Sequence, residues 1–256
     1  MKNKRIIGLC VVFWADDRFI ESIASVIDFV DEMVIWHNIN SYETSSLKHD
    51  PEQHQRVIEM VSKLKDKYEQ KIVYHLNDKP YTSVGIADMI NKDLLFSLYS
   101  PDDMIMYVDS DEIHIPKFLS KIRKLVLSDK YHQYKIFQKH YIKHSDLWMP
   151  CPTNPYQTFI TKNIKDSAYI RNHKQVSTLT LPNYIYYKHM AYCPIDPKNL
   201  KAKLIGQVGC EPGITIDVSW FDDVFMKITH ENYKEFTNFS CIKEFPHHMP
   251  FINKDE

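Results

Sequence analysis

The chain has no excess of charge of either sign: 32 Lys and Arg stand against 33 Asp and Glu, a formal net charge of -1. That balance argues against a basic nucleic-acid-binding protein and requires any phosphate chemistry to be handled by a focused site. Paired cysteines are also missing. Cys10, Cys151, Cys193, Cys210 and Cys241 are odd in number, scattered, and form no C-x-x-C, which fits free thiols better than a disulfide framework or a zinc site. No apolar run approaches the roughly 20 residues needed to span a bilayer. The segment Ile6 to Trp14 after Lys2, Lys4 and Arg5 imitates a signal peptide. It is short, lacks a small-residue cleavage site and meets Asp16 and Asp17 at once, so a buried first strand in a soluble, cytoplasmic protein is expected.

What is present is enough apolar material for a full core. Of 256 residues, 44% are hydrophobic and 13% aromatic, with 25% charged, so disorder is not expected. That length suits a single α/β domain over residues 1–256, divided near residue 115. The first part alternates apolar runs with helical periodicity, the mark of consecutive βα units and a mostly parallel sheet. Ile6 to Phe13 reads as a strand, followed by a helix capped by Asp16 or Asp17 that turns Ile20, Ile23, Ala24 and Ile27 to one face. Glu32 to Trp36 reads as a second strand. Asp50-Pro51-Glu52-Gln53 then opens a helix with Val57, Ile58, Val61, Leu64 and Tyr68 in one stripe. A third strand covers Lys71 to Leu76, a third helix carries Ile86, Met89, Ile90, Leu94 and Leu98, and a fourth strand ends at Asp109. Beyond Pro116 a helix from Lys117 to Leu127 precedes shorter strands: one alternating from Tyr134, others at Gln157 to Thr161, Gln175 to Leu181 and Tyr184 to Tyr187. Pro- and Asn-rich loops are expected from Trp148 to Tyr156. The second part therefore reads as mixed sheet plus loops.

The most informative stretch is Met104 to Glu112, a strand-length apolar run closing in Asp109-Ser110-Asp111-Glu112. Bare carboxylates at a buried strand's end call for a cation, most simply a divalent metal. The same residues also suit an ordinary turn or helix start. In open α/β sheets ligands bind at the strands' carboxyl ends, where this motif falls.

Several segments together resemble a family 2-type glycosyltransferase of the GT-A fold. They are Gly8 to Phe13 with Asp28 to Trp36 as a first β-α-β unit, Gly85-Ile-Ala87-Asp-Met-Ile-Asn91 as a G-x-A-x-x-x-N segment, and the Asp109-Ser110-Asp111 motif after the fourth strand. Tyr186 to Tyr192, with His189, followed by Lys201 or Lys203, is similar to the late segment in which a strand delivers a histidine to the metal and a lysine-bearing helix follows. The resemblance implies a GT-A-like fold. Residues 1–115 would form a Rossmann-type nucleotide-sugar-binding half around a mostly parallel sheet, and residues 116–256 a mixed-sheet acceptor side. It implies an enzyme that moves a sugar from a UDP- or GDP-sugar donor, with inversion, to a glycan, lipid or protein acceptor. Nucleic acid has no part in it. Asp109, Asp111 and His189 would hold Mn²⁺ or Mg²⁺, the imidazole tilting the choice to Mn²⁺. Val12, His37, Asn38, Asp78, Gly85, Asn91 and Ser110 would line the donor. Where the family's second strand usually ends in Asp, this chain has His37 and Asn38, and no acidic base motif stands between Asp111 and His189. Glu211 and Asp222, each flanked by apolar residues, are the base candidates.

Plainer roles exist for each residue: a strand histidine for His189, a loop glycine for Gly85, a surface helix residue for Asn91, a turn initiator for Asp78, core for Trp148 and Trp220. Two other functional classes share the motif. A haloacid-dehalogenase-type phosphohydrolase would use Asp109 as nucleophile, although its motif normally lies on the first strand. A non-catalytic nucleotide-sugar binder would need no base.

Overall fold

The computed structural model describes residues 4–12, 18–38, 51–78, 97–150, 155–163, 177–207, 215–235 and 252–253. Four strands form the expected parallel half: β1 (Ile6–Val12), β2 (Glu32–Asn38), β3 (Ile72–Asn77) and β4 (Met104–Tyr107). They lie in the order β3-β2-β1-β4, with β1 parallel to both β2 and β4 and β2 parallel to β3. All four carboxyl ends therefore share one edge.

β1 shows why this half is a sheet buried on both faces. Ile6, Cys10 and Val12 point to one core with Phe19, Ile23, Val26 and Ile27 of helix α1 (Phe19–Val26) and Val57, Val61 and Leu64 of α2 (Pro51–Tyr68). Ile7 and Leu9 point to the other face, beside Val34, Trp36, Ile105 and Tyr107. The period of two along β1 and of about 3.6 along the helices is what places these residues together. The stripe expected on α2 is observed, with Val57, Val61 and Leu64 at its centre. α1 begins later than the sequence suggests. Its N-cap is Arg18, with no side-chain capping bond; Asp16 and Asp17 lie outside the described residues.

The mixed half grows from β4. A short strand β5 (Glu112–His114) leads into helix α3 (Pro116–Leu127), whose first position is the proline, where its missing N–H costs nothing. Then come β6 (Gln133–Ile142), β7 (His144–Pro150), β8 (Tyr156–Lys162), β9 (Thr178–Thr180), β10 (Tyr186–Tyr192), α4 (Pro197–Gln207), the single-turn α5 (Trp220–Asp223) and β11 (Ile252–Asn253). The sheet continues past β4 as β8-β6-β7-β11, and β8 runs antiparallel to β4. β10 joins β5 antiparallel and β6 parallel.

Two expectations are corrected here. Trp148 lies in strand β7, because β6 reverses tightly at Lys143, which holds φ 55 without being glycine. The late strand extends from Tyr186 to Tyr192 and not only to Tyr187, because partners on two sides satisfy its backbone. Trp220 is core, buried with Phe221, Phe225 and Leu204. The expected third helix, with Gly85 and Asn91, lies outside the described residues. Among the described residues no helix is long and apolar enough to cross a membrane.

Candidate functional site

β4 gives out at Tyr107, and the chain turns over Asp109 to Glu112 at the shared edge. The turn is fixed from within the protein. Glu112 N donates to Asp109 O at 3.0 Å, and Asp109 N donates to Glu112 Oε2 at 3.1 Å. Beneath it, the buried Ser22 hydroxyl of α1 lies 2.8 Å from Asp109 O and 2.7 Å from Glu112 O. Ser25 Oγ in turn accepts from His114 N at 3.0 Å. Glu112 is only 2% exposed. Its carboxylate thus acts as a cap for the turn, which leaves Asp109 and Asp111 as the carboxylates that can face a ligand. Asp109 is exposed and Ser110 half-buried.

Asp111 is buried, and long-range partners surround it. Lys203 Nζ of α4 lies 2.8 Å from Oδ2, and His189 Nε2 of β10 lies 3.6 Å from Oδ1. The topology explains the meeting: β10 pairs with β5 so that His189 stands opposite Glu112, and Met190 N donates to Asp111 O at 2.7 Å. Burial alone would push the Asp111 carboxyl up. The Lys203 ammonium and then His189 outweigh it, and the group is held well below the usual carboxylate range. On its other side His189 meets His140 of β6, in register across the parallel pair, with Nδ1 to Nδ1 at 3.2 Å. Cys10 lies fully buried near this turn. Its thiol is pushed well up by burial, then by the charges of Asp109, Glu112 and Asp111, so it stays protonated and is no nucleophile.

The donor-side positions lie at the neighbouring strand ends. Val12 closes β1 and is buried, as are His37 and Asn38 at the end of β2. His37 Nδ1 is 2.8 Å from the Tyr74 hydroxyl, and its Nε2 is 3.4 Å from His54 Nδ1. Burial, then His54, lowers the His37 pKa to about 4, so the ring is neutral. Asn77 Nδ2 donates to Asn38 Oδ1 at 2.8 Å, tying the ends of β2 and β3, and Asp78 follows in solvent. Of the base candidates, Asp222 on α5 is 60% exposed and ion-paired with Lys201 at 2.6 Å. Glu211, Gly85 and Asn91 lie outside the described residues.

The fold thus brings Asp111 and His189 together, with Asp109 in the turn beside them. Sequence reading offered Lys201 or Lys203 without choosing, and the structure turns Lys203 to Asp111 and Lys201 to Asp222. Ser22 and His140 carried no sequence signal, since a serine on a helix's buried side and one of 13 histidines look ordinary. Among the described residues no group of three or more His, Cys, Asp or Glu side chains is placed so that it could hold a metal ion. Asp111 Oδ1 and His189 Nε2 face each other across 3.6 Å.

No protein-family model matches the chain, and no curated protein matches it in sequence. Among solved structures it is similar to S. aureus TarS 1-349, at 11% identity and TM-score 0.47, over 78% of this chain and 63% of that one. It is similar to the same protein in complex with UDP-GlcNAc, at 12% identity and TM-score 0.49, over 78% and 64%. A third likeness is to glucosyl-3-phosphoglycerate synthase from Mycobacterium tuberculosis in complex with Mn2+, UDP-Glc and phosphoglyceric acid, at 17% identity and TM-score 0.33, over 53% and 44%. The chain therefore spans less than two thirds of the length of these two TarS structures.

Proposed function

We propose that this chain is a metal-dependent glycosyltransferase that takes a sugar from a UDP- or GDP-sugar and passes it, with inversion, to a hydroxyl of a glycan, lipid or protein. One observation carries the reading: Asp111 Oδ1 faces His189 Nε2 at 3.6 Å while Lys203 holds Oδ2. Two ligands of one ion, each about 2.1 Å from it, stand roughly 3.0–3.6 Å apart. The donor set of a carboxylate oxygen and an imidazole nitrogen, completed by diphosphate oxygens, suits Mn²⁺ and also admits Mg²⁺. When bound, such an ion would act as a Lewis acid on the departing nucleoside diphosphate.

The chain's own residues supply the remainder. Lys203 holds the Asp111 carboxylate through Oδ2 so that Oδ1 is turned to His189, and its ammonium lies within the same cluster, where a diphosphate's charge would gather. Ser22 and Glu112 hold the turn that carries Asp109 and Asp111. His37, Asn38 and Asn77 close the strand ends beside Val12 and Asp78, where the nucleoside would lie. The acceptor hydroxyl attacks the anomeric carbon opposite the diphosphate, the bond to the diphosphate oxygen breaks, and the hydroxyl proton passes to a carboxylate, for which Asp222 and Glu211 are proposed. Soluble, cytoplasmic placement belongs to the same proposal.

A thermal-shift screen of UDP-, GDP- and CMP-sugars with and without Mn²⁺ tests this, because a ligand that binds the native state raises its melting temperature. A rise with one nucleotide-sugar that needs the metal and is lost in Asp111→Asn supports the proposal. Equal shifts with and without metal, or none, would overturn it. Binding without turnover against a broad acceptor panel would instead identify a non-catalytic binder, and release of phosphate from a phosphoester through an Asp109 adduct would identify a phosphohydrolase.

A further inference from the structure

We propose that Lys139 and Lys188 form a binding site for the phosphate of a phosphorylated saccharide, on the face of the sheet turned away from Asp111 and His189. This site is separate from the proposed metal centre and does not depend on it.

Register brings the two lysines together. β10 lies parallel to β6 with Lys188 opposite Lys139, so two ammoniums share one face. Successive strand residues point to opposite faces, and His189 and His140 therefore stand on the other one. The lysine face has a floor of its own, where Tyr141, Met190 and Cys193 are buried with Ile113 and Trp148 packed on them. Lys139 Nζ lies 3.8 Å from the centre of the Trp148 ring and 4.1 Å from that of Tyr186, and Lys188 Nζ lies 5.5 Å from that of Tyr141. Lys4 and Lys162 are neutralised by Asp129, and Lys203 by Asp111. Among the described residues neither Lys139 nor Lys188 meets a carboxylate or donates a hydrogen bond.

Like charges directly opposite on paired strands are destabilising, and burial, then the charge of Lys188, lowers the Lys139 pKa. An anion bridging the two ammoniums removes that cost. Two positive charges match a phosphate monoester, which carries about −1.5 to −2, better than the single charge of a carboxylate. The rings indicate what bears the phosphate. Phe137, Trp148, Tyr156 and Tyr186 stand half-buried around the lysines, with Phe137 and Tyr156 edge to face at 5.3 Å. Lys139 already lies over two of these rings, which leaves little flat surface for a nucleobase. The C–H groups and hydroxyls of a sugar suit the ring edges and phenolic oxygens that remain.

The test uses the full chain, freed of metal with EDTA and without nucleotide. Isothermal titration should show that glucose 1-phosphate or glucose 6-phosphate binds and that glucose does not, and amide shifts in the NMR spectrum should gather on β6 and β10 about Lys139 and Lys188. Lys139→Gln and Lys188→Gln should each weaken binding about 10- to 100-fold, and Lys188→Arg should retain most of it. Lys188 is less enclosed by rings, so its variants decide the matter even if Lys139→Gln does not fold. Failure of both sugar phosphates to bind, undiminished binding in Lys188→Gln, or shifts confined to the turn at Asp111 would overturn the proposal. Inorganic phosphate binding as tightly as the sugar phosphates, or uridine monophosphate binding more tightly, would overturn the choice of a saccharide. None of these outcomes bears on metal-dependent sugar transfer, which the screen with Mn²⁺ and nucleotide-sugars tests on its own.

Discussion

Acid should unfold this protein through a histidine that the site does not use. His114, in β5, is 1% exposed, and neither ring nitrogen has a hydrogen-bond partner among the described residues. It is stacked between Tyr187, centroids 5.0 Å apart, and Phe159 at 6.0 Å. Burial lowers its pKa from 6.5 to about 3, only partly opposed by Asp109. A histidine depressed in the fold binds fewer protons there than in the unfolded chain, so it leaves stability intact above the unfolded value and removes it as pH falls from about 6.5 toward 3. At pH 5 the unfolded chain gains about 2 kcal/mol from protonating this one group. His37, held at about 4, adds a similar loss of about 2 kcal/mol over the upper part of the same window. His114→Phe removes the first contribution. Because it replaces an unpartnered polar ring by an apolar one of nearly the same shape, it should cost little at pH 7.5. Urea unfolding at pH 7.5 and pH 5 should show a wild-type loss about 2 kcal/mol larger than the variant's. Equal losses in the two proteins would refute the assignment of a buried neutral His114.

Other expectations concern the site. Lys203→Met leaves Asp111 buried with its main cation gone and should cost roughly 3 kcal/mol, most of it recovered when Asp111→Asn is added. Additive losses in urea titrations of the two single variants and the double would show that the pair is not coupled. Ser22→Ala removes the hydroxyl under the Asp109 and Glu112 carbonyls, and should destabilise by about 1–2 kcal/mol and weaken Mn²⁺ binding. Unaltered binding would mean that the turn holds its shape without α1. If Asp222 is the base, Asp222→Asn should lower kcat by about 10²–10⁴ with donor binding unchanged. Full turnover would pass the role to Glu211.

The parallel half was legible because its signals are local. β1, β2, α2 and β3 are bounded by capping and turn residues, and their apolar periods match the faces they bury. The acidic turn was legible for the same reason, a strand-length run ending in carboxylates. What escaped depends on distant partners. Strand β7 was hidden by the Pro- and Asn-rich sequence from Pro150 to Pro155 that follows it and by a reversal at Lys143, where no glycine marks the turn. Periodicity stopped β10 at Tyr187, because its full span follows from pairing with β5 and β6 at once, while the resemblance marked the whole segment from Tyr186 to Tyr192. The resemblance set Asp109 and Asp111 apart as metal ligands and gave Glu112 no role. The fold shows Glu112 capping the turn, and Asp111 meeting His189 and Lys203 from nearly 80 and more than 90 residues away.

In the proposed function Asp111 and His189 would share a cation at the carboxyl end of β4. A crystal grown with Mn²⁺ and UDP, with anomalous differences collected at the manganese edge, tests it most directly. A peak is expected about 2.1–2.2 Å from both Asp111 Oδ1 and His189 Nε2, with diphosphate oxygens completing its shell and Lys203 still on Oδ2. UDP bound without a manganese peak there, or with Asp111 contacting only Lys203 and the protein's own amides, would contradict it.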